Sequence, residues 1–409
     1  MRLRRTIQGW ITGALLGIAP PVSAQEFSAL ARMDVAQSGA TDGFWKTEIE
    51  LHLSQPVPYR VFTLDSPNRL VLDFKEVDFR GVDGTIFTRS DLFENARFGG
   101  LRPGWSRMIF DLTEPVKVET AGMAVNTIDG TAEIEIVLSG TTEDAFIETA
   151  GLPSSTEWAF EIEDVASALP VKPDDGLTII MIDPGHGGID PGAEQGGVHE
   201  ADVMLALGLE LSAALGRIEG VQPALTRTDD RFVRLPERMT LARRAGADLL
   251  ISVHADALDG EQATGASVYT LTDAATDAAS QRMVERHSQG DLLAGIHLTG
   301  QADEIANILQ DLVRVETAAS GDRFADHLVQ ALQDVGAELN SQPRRDASLA
   351  VLNAADFPSI LIEVGFLSNP VDRARLTSAQ GRAPIVAGVT LAVGRWLVAE
   401  ASLAPLIRQ

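Results

Sequence analysis

From about residue 26 to 140, apolar residues recur at every second position. Trp45, Thr47, Ile49, Leu51 and Leu53 alternate with Lys46, Glu48, Glu50 and His52; Leu70, Leu72 and Phe74, then Met108, Phe110 and Leu112, then Ile134, Ile136 and Leu138 repeat the pattern. A period of two puts one face of a strand in a core and the other in water. Ser66-Pro67-Asn68 and Arg102-Pro103-Gly104 supply turns between the runs. The pattern predicts an N-terminal all-β sandwich over 26–140. Residues 141–176, with Pro153-Ser154-Ser155 and Lys172-Pro173-Asp174-Asp175-Gly176, read as a linker.

From 177 the period changes. Leu177 to Ile182 is a continuous apolar run, 201–216 carries Val203, Ala206, Leu207, Leu211 and Ala214 at helical spacing, and a helix over about 236–245 leads into the apolar run Leu249 to Val253. Ser359 to Val364 is a third such run, followed by a helix over about 381–400. Short strands buried on both faces and separated by helices predict a C-terminal α/β domain, 177–409, with a largely parallel sheet flanked by helices. In such sheets ligands bind beyond the carboxyl ends of the strands.

Candidate chemistry lies at those ends. The segment MIDPGHGGIDPGAEQGGVHE, 181–200, holds six glycines, two prolines, two histidines and four acids. His186 follows the end of one strand and His254 the end of another, Glu200 heads the next helix, and Glu363 closes the third strand. Two imidazoles and a carboxylate with a fourth position open form a catalytic zinc site, and a further carboxylate can act as the base. Each residue also has a plainer explanation. The glycine loop could cradle phosphate, although no Lys-Ser/Thr follows it. Glu200 could simply favour a helix N-terminus, and His254 could be a satisfied strand-end side chain. Glu363 inside SILIEVGF is costly to bury without a partner. His52, His287, His297 and His327 fall on polar stretches and are expected at the surface.

Composition narrows the setting. With no cysteine among 409 residues, thiolate ligands, thiol nucleophiles and disulfides are excluded. The formal charge of −25 disfavours nucleic acid and anionic membranes as partners. The first residues, with Arg2, Arg4, Arg5, an apolar run Ile11–Ile18 and Val22-Ser23-Ala24, predict a signal peptide over 1–24 cleaved after Ala24. Export to the periplasm by the general or the twin-arginine route follows, with no membrane span in the mature chain, since no other apolar run is expected to approach the ~20 residues a span needs.

The segments IIMIDPGHGGIDPGA, GVHEADVMLAL, ALTRTDDRFVRLPERMTLARRAGADLLISVHADA and PSILIEVGFLSNP, within about 177–400, resemble the zinc-dependent N-acetylmuramoyl-L-alanine amidases that split septal peptidoglycan in Gram-negative bacteria. The resemblance implies that His186, Glu200 and His254 bind Zn2+ and that Glu363 is the catalytic carboxylate. Asp256 and Ala201 stand where family members often have Asn and Lys; neither change removes a ligand. PYRVFTLDSPNRLVLDFKEV similarly resembles the AMIN module that precedes such amidases, which implies glycan binding or septal targeting, with a plain spacer as the alternative. The residues 272–320 resemble the family's autoinhibitory helical insertion, in which Glu285 or Glu304 would cover the zinc until an activator with a LytM-type domain withdraws it; both could equally be surface acids. The implied substrate is peptidoglycan and the implied state a monomer. A zinc peptidase acting within the stem peptide and a non-catalytic wall-binding adaptor stay open as rivals.

Overall fold

The computed structural model describes residues 30–151 apart from 76 and 103, 176–257, 263–272, 280, 281, 284, and 304–407 apart from 353 and 355. The expected signal peptide, residues 152–175 of the expected linker, Glu285, His287, His297 and much of 272–320 lie outside the described residues.

Ten strands make the N-terminal domain: β1 (Ala31–Arg32), β2 (Gly39–Asp42), β3 (Lys46–Leu53), β4 (Tyr59–Leu64), β5 (Arg69–Phe74), β6 (Val77–Asp78), β7 (Phe93–Arg102), β8 (Trp105–Leu112), β9 (Val116–Val125) and β10 (Ala132–Gly140). Two antiparallel sheets, β2-β3-β10-β9 and β4-β5-β8-β7, face each other across a core that includes Ile49, Leu51, Leu72, Phe74, Phe110, Ile134 and Ile136. The expected sandwich is present. Trp45 departs from its expected inward place: it is 80% exposed, because Gly43-Phe44-Trp45 forms the tip between β2 and β3 and the alternation begins at Lys46. A short helix, α1 (Glu143–Thr149), follows β10. Thr142 caps it, Glu143 and Asp144 sit favourably in its first turn, and Phe146 is buried in the sandwich core. The chain therefore continues to pack on the β-domain beyond residue 140.

The second domain comprises β11 (Thr178–Pro184), β12 (Glu194–Gln195), β13 (Val198–His199), α2 (Glu200–Leu215), β14 (Val221–Leu225), α3 (Leu235–Ala245), β15 (Leu249–His254), β16 (Ala266–Leu271), α4 (Glu304–Asp334), β17 (Leu339–Ala347), β18 (Ser359–Glu363), α5 (Pro370–Leu376) and α6 (Ala379–Ile407). The central sheet runs β14-β11-β15-β18-β16-β17, parallel except between β16 and β18. One side packs on α2, α4 and α6 through Leu207, Leu211, Phe324, Leu328, Val389 and Trp396; the other packs on α3 and the 349–357 segment through Met239, Leu349 and Phe357. This two-sided burial is why β11, β15 and β18 read as continuous apolar runs.

α6 corrects one expectation. Ala379–Leu403 is long and apolar enough, by length and composition, to cross a membrane. Its Val389, Ala392, Val393 and Trp396 nevertheless sit in the domain core, and its charged residues brace neighbouring helices: Arg382 pairs with Glu210 of α2 at 2.5 Å and Arg395 with Asp334 of α4 at 2.7 Å.

Candidate metal centre

β11 delivers the chain to the edge of the sheet, where Gly185 and His186 follow Pro184. Gly187 and Asp190 then exchange backbone hydrogen bonds, Gly187 N–H to Asp190 O at 2.7 Å and the reverse at 3.2 Å, which closes a turn with Gly188 and Ile189 at its tip. His186 itself adopts φ 59°, a left-handed backbone uncommon outside glycine. That conformation aims its ring inward. Nδ1 lies 2.8 Å from Asp190 Oδ2 and Nε2 lies 3.2 Å from Glu200 Oε2.

Glu200 is the first residue of α2, where the helix dipole favours an anion. Both of its carboxylate oxygens are also held from the backbone: the Ala255 N–H donates to Oε1 at 2.9 Å and the Ala193 N–H to Oε2 at 3.0 Å. His254 ends β15, and its Nδ1 is 3.1 Å from Glu200 Oε1. The two imidazole rings stand 5.0 Å apart at 82°. One ligand atom from each of His186, Glu200 and His254 lies within 4.8 Å of the others, so three elements well separated in sequence place donors that could share one ion.

The glycines serve close approach. A Cβ on Gly185 would overlap the His254 ring, and one on Gly192, at φ +68°, would come 2.6 Å from His186 Cδ2 and 2.7 Å from Glu200 Oε2. Electrostatics separate the two histidines. Burial pulls His186 down, but Asp190 and Glu200 outweigh it and hold its pKa well above the usual histidine value. His254 is lowered, chiefly by burial. Burial would raise both Asp190 and Glu200, but His186 brings Asp190 to about 2 and the two imidazoles hold Glu200 well below the ordinary carboxylate range.

Four residues that the sequence pattern did not single out complete the support. Asp190 orients His186, the arrangement by which carboxylates commonly fix a ligating imidazole. The buried Arg227 donates to the carbonyls of Pro184 (3.1 Å), Gly185 (2.8 Å) and Ala201 (2.7 Å), and burial lowers its pKa to about 10. Arg238 donates to Pro184 O (2.8 Å), His186 O (2.9 Å) and Asp183 Oδ1 (2.6 Å). Asp183 also accepts from Thr226 at 2.6 Å and Ser252 at 2.8 Å. Asp190 had one signal, its place four residues after the histidine in a glycine turn.

Glu363 lies on β18, the strand that pairs with the one carrying His254. It is 0% exposed at the end of β18, directly opposite His254 in the parallel register, and its Oε2 accepts the Asp256 N–H at 3.0 Å. Glu304 opens α4, but its side chain, like the whole of Glu285, lies outside what is described.

The family profile described as N-acetylmuramoyl-L-alanine amidase matches residues 180–395, and the AMIN domain profile matches 39–143. The amidase AmiC of Neisseria meningitidis is 27% identical over 96% of this chain and 97% of its own length. AmiA of Escherichia coli is 30% identical over 68% of this chain and 90% of its own. Among solved structures, the amidase AmiC2 of Nostoc punctiforme is 28% identical with a TM-score of 0.38, covering 54% of this chain and 97% of that one. With its α/β domain spanned by the amidase profile and its sandwich by the AMIN profile, the chain belongs to the N-acetylmuramoyl-L-alanine amidase family and carries an AMIN domain.

Proposed function

We propose that the protein hydrolyses the amide between the lactyl group of N-acetylmuramic acid and L-alanine in peptidoglycan, in the periplasm, with zinc held by His186, Glu200 and His254 and with Glu363 as general base and acid. The observation that carries this reading is the convergence of those three donors, together with a second buried carboxylate, Glu363, on the neighbouring strand. The donor set suits zinc: two imidazoles and one carboxylate, with His186 Nδ1 engaged by Asp190 and Nε2 turned to the cluster. Once bound, zinc would polarise the scissile carbonyl and bring the pKa of a bound water to ~7. Asp190 holds the His186 ring in the orientation that presents Nε2. The Ala193 and Ala255 amides fix Glu200 against rotation. Glu363 would accept a proton from the attacking water and return it to the alanine nitrogen, because an unprotonated amide nitrogen is a poor leaving group.

The test is digestion of purified sacculi with and without a zinc chelator. Stem peptides with a free L-alanine amine and glycan strands without peptide support the reading. Peptides cut within the stem favour a zinc peptidase, and no release favours a wall-binding adaptor.

The finer proposals concern maturation and control. Removal of 1–24, a monomeric mature protein, and restraint by the insertion at 272–320 until a LytM-type activator arrives are consistent with an AMIN-containing amidase. Deleting 277–316 or replacing Glu285 should raise basal hydrolysis; unchanged activity from both would remove self-inhibition from the account.

A further inference from the structure

The turn that carries His186 is also held by the β-domain. Ile189, at its tip, is 2% exposed although it lies in a loop, and its side chain packs with Phe62, Leu64, Val71, Leu101 and Ile109 on the outer face of sheet β4-β5-β8-β7. Gly99 of β7 makes the room. A Cβ there would come 2.9 Å from Ile189 Cγ2 and would meet nothing else within 4 Å. From the same strand, Arg97 donates to the Ile189 carbonyl at 3.4 Å and is anchored to Asp111 at 2.6 Å. The contact joins the two domains three residues from one candidate ligand and one residue from the carboxylate that orients it.

The turn needs such support. His186 is in a backbone region that persists only where surroundings enforce it, and Gly187 and Gly188 add conformational freedom that must be removed on folding. Arg238 and Arg227 fix the entry to the turn through the carbonyls of His186 and Gly185. The tip side chain is received by the sandwich.

We propose that the AMIN domain is a positioning partner of the metal centre within the same chain: docking of Ile189 into the outer-face patch fixes the Gly187–Asp190 turn, and with it the His186–Asp190 pair, so that Ile189 and Gly99 govern metal retention. This rests on the assignment of His186, Glu200 and His254 as the metal set. Ile189 and Gly99 are positioning residues and take no part in proton transfer.

The experiment uses the full chain as wild type, Gly99→Leu, which wedges the interface from the β-domain side, and Ile189→Ala, which removes the plug without adding atoms. Zinc retention is measured by competition with a chelator, order in the turn by hydrogen exchange at the Gly187 and Asp190 amides, and turnover as kcat and KM on sacculi. Both variants should lose roughly 10–100-fold in zinc affinity, the range for removing support from a ligating histidine. They should exchange faster at both amides, and lower kcat with little change in KM. Wild-type affinity and wild-type exchange in both variants overturn the proposal. If Gly99→Leu fails to fold, Ile189→Ala decides on the same measurements. A wild-type chain that holds no zinc instead overturns the metal assignment; exchange at the two amides then still reports on docking, unchanged rates refuting it and faster rates upholding it.

Discussion

The two sheets of the sandwich share a core and differ on their outer faces. In β3 the outward residues Lys46, Glu48 and Glu50 are exposed, so that strand is half in water. In β5 all six residues are buried. The outward row of β5 and β8 pairs Arg69 with Asp111, Val71 with Ile109 and Asp73 with Arg107 across the strands, and the apolar pair lies under Ile189 of the amidase domain. The charged neighbours of that pair are each bonded: Arg107 reaches both oxygens of Asp73, Arg60 reaches the same carboxylate at 2.7 Å, Arg69 donates to the Pro67 and Asp65 carbonyls, and Asp111 accepts from Arg97. A solvent face leaves its charges to water, whereas a covered face requires a bonded partner for each.

Five substitutions break or sharpen that contrast. The largest effect should come from outside both sheets: Glu363→Ala should lower turnover on sacculi about 10²–10⁴-fold while zinc content, measured on the purified protein, stays near wild type. Retained turnover would move the proton transfers to another group. Next, Phe110→Ala, between the sheets, should cost about 3–5 kcal/mol in denaturant unfolding. Asp183→Asn should cost a similar ~3–5 kcal/mol at neutral pH, because it leaves the Arg238 guanidinium buried without its partner. Burial alone would raise the Asp183 carboxyl, but Arg238, Thr226 and Ser252 lower it below its usual value. Its contribution is therefore complete above the unfolded-state pKa of about 4 and fades as pH falls through the depressed folded-state value, so the gap between wild type and variant should narrow in acid. Smallest is the paired comparison of the outer faces. Ile109→Ala should cost about 2–5 kcal/mol, whereas Glu48→Ala should leave the unfolding midpoint where it was. Equal effects at the two positions would mean that the second sheet is not covered in solution.

Much of this architecture is legible in the chain, for physical reasons that differ by region. A period of two gives β3, β8 and β10 because their inner faces are apolar, and continuous apolar runs give β11, β15 and β18 because helices cover both sides. The convergence of His186, Glu200 and His254 follows from the rule that parallel strands present ligands at one edge. Support residues are harder to find. Arg227 and Arg238 bind carbonyls, which every residue carries, so no pattern of side chains marks their partners. Val71 is the trace of the domain contact: it breaks the alternation of Leu70, Leu72 and Phe74 and packs in the outer-face cluster with Ile189. Trp45 misled because a large apolar residue in phase with a strand can equally occupy its turn. The length of α6 is masked in the sequence because Arg382 and Arg395 interrupt its apolar run, although they pair with Glu210 and Asp334.

The spacing of the donors along the chain has a thermodynamic consequence. A chain with no cysteine cannot be stapled by sulfur, yet an ion gripped by residues 186, 200 and 254 would close the loop 186–254, which holds α2, β14, α3 and β15, and act as a removable clasp. Because only the folded chain assembles that grip, each tenfold rise in free zinc above the dissociation constant should add about 1.4 kcal/mol to resistance against unfolding. Metal supply in the surrounding compartment would then govern the protein's lifetime as well as its chemistry.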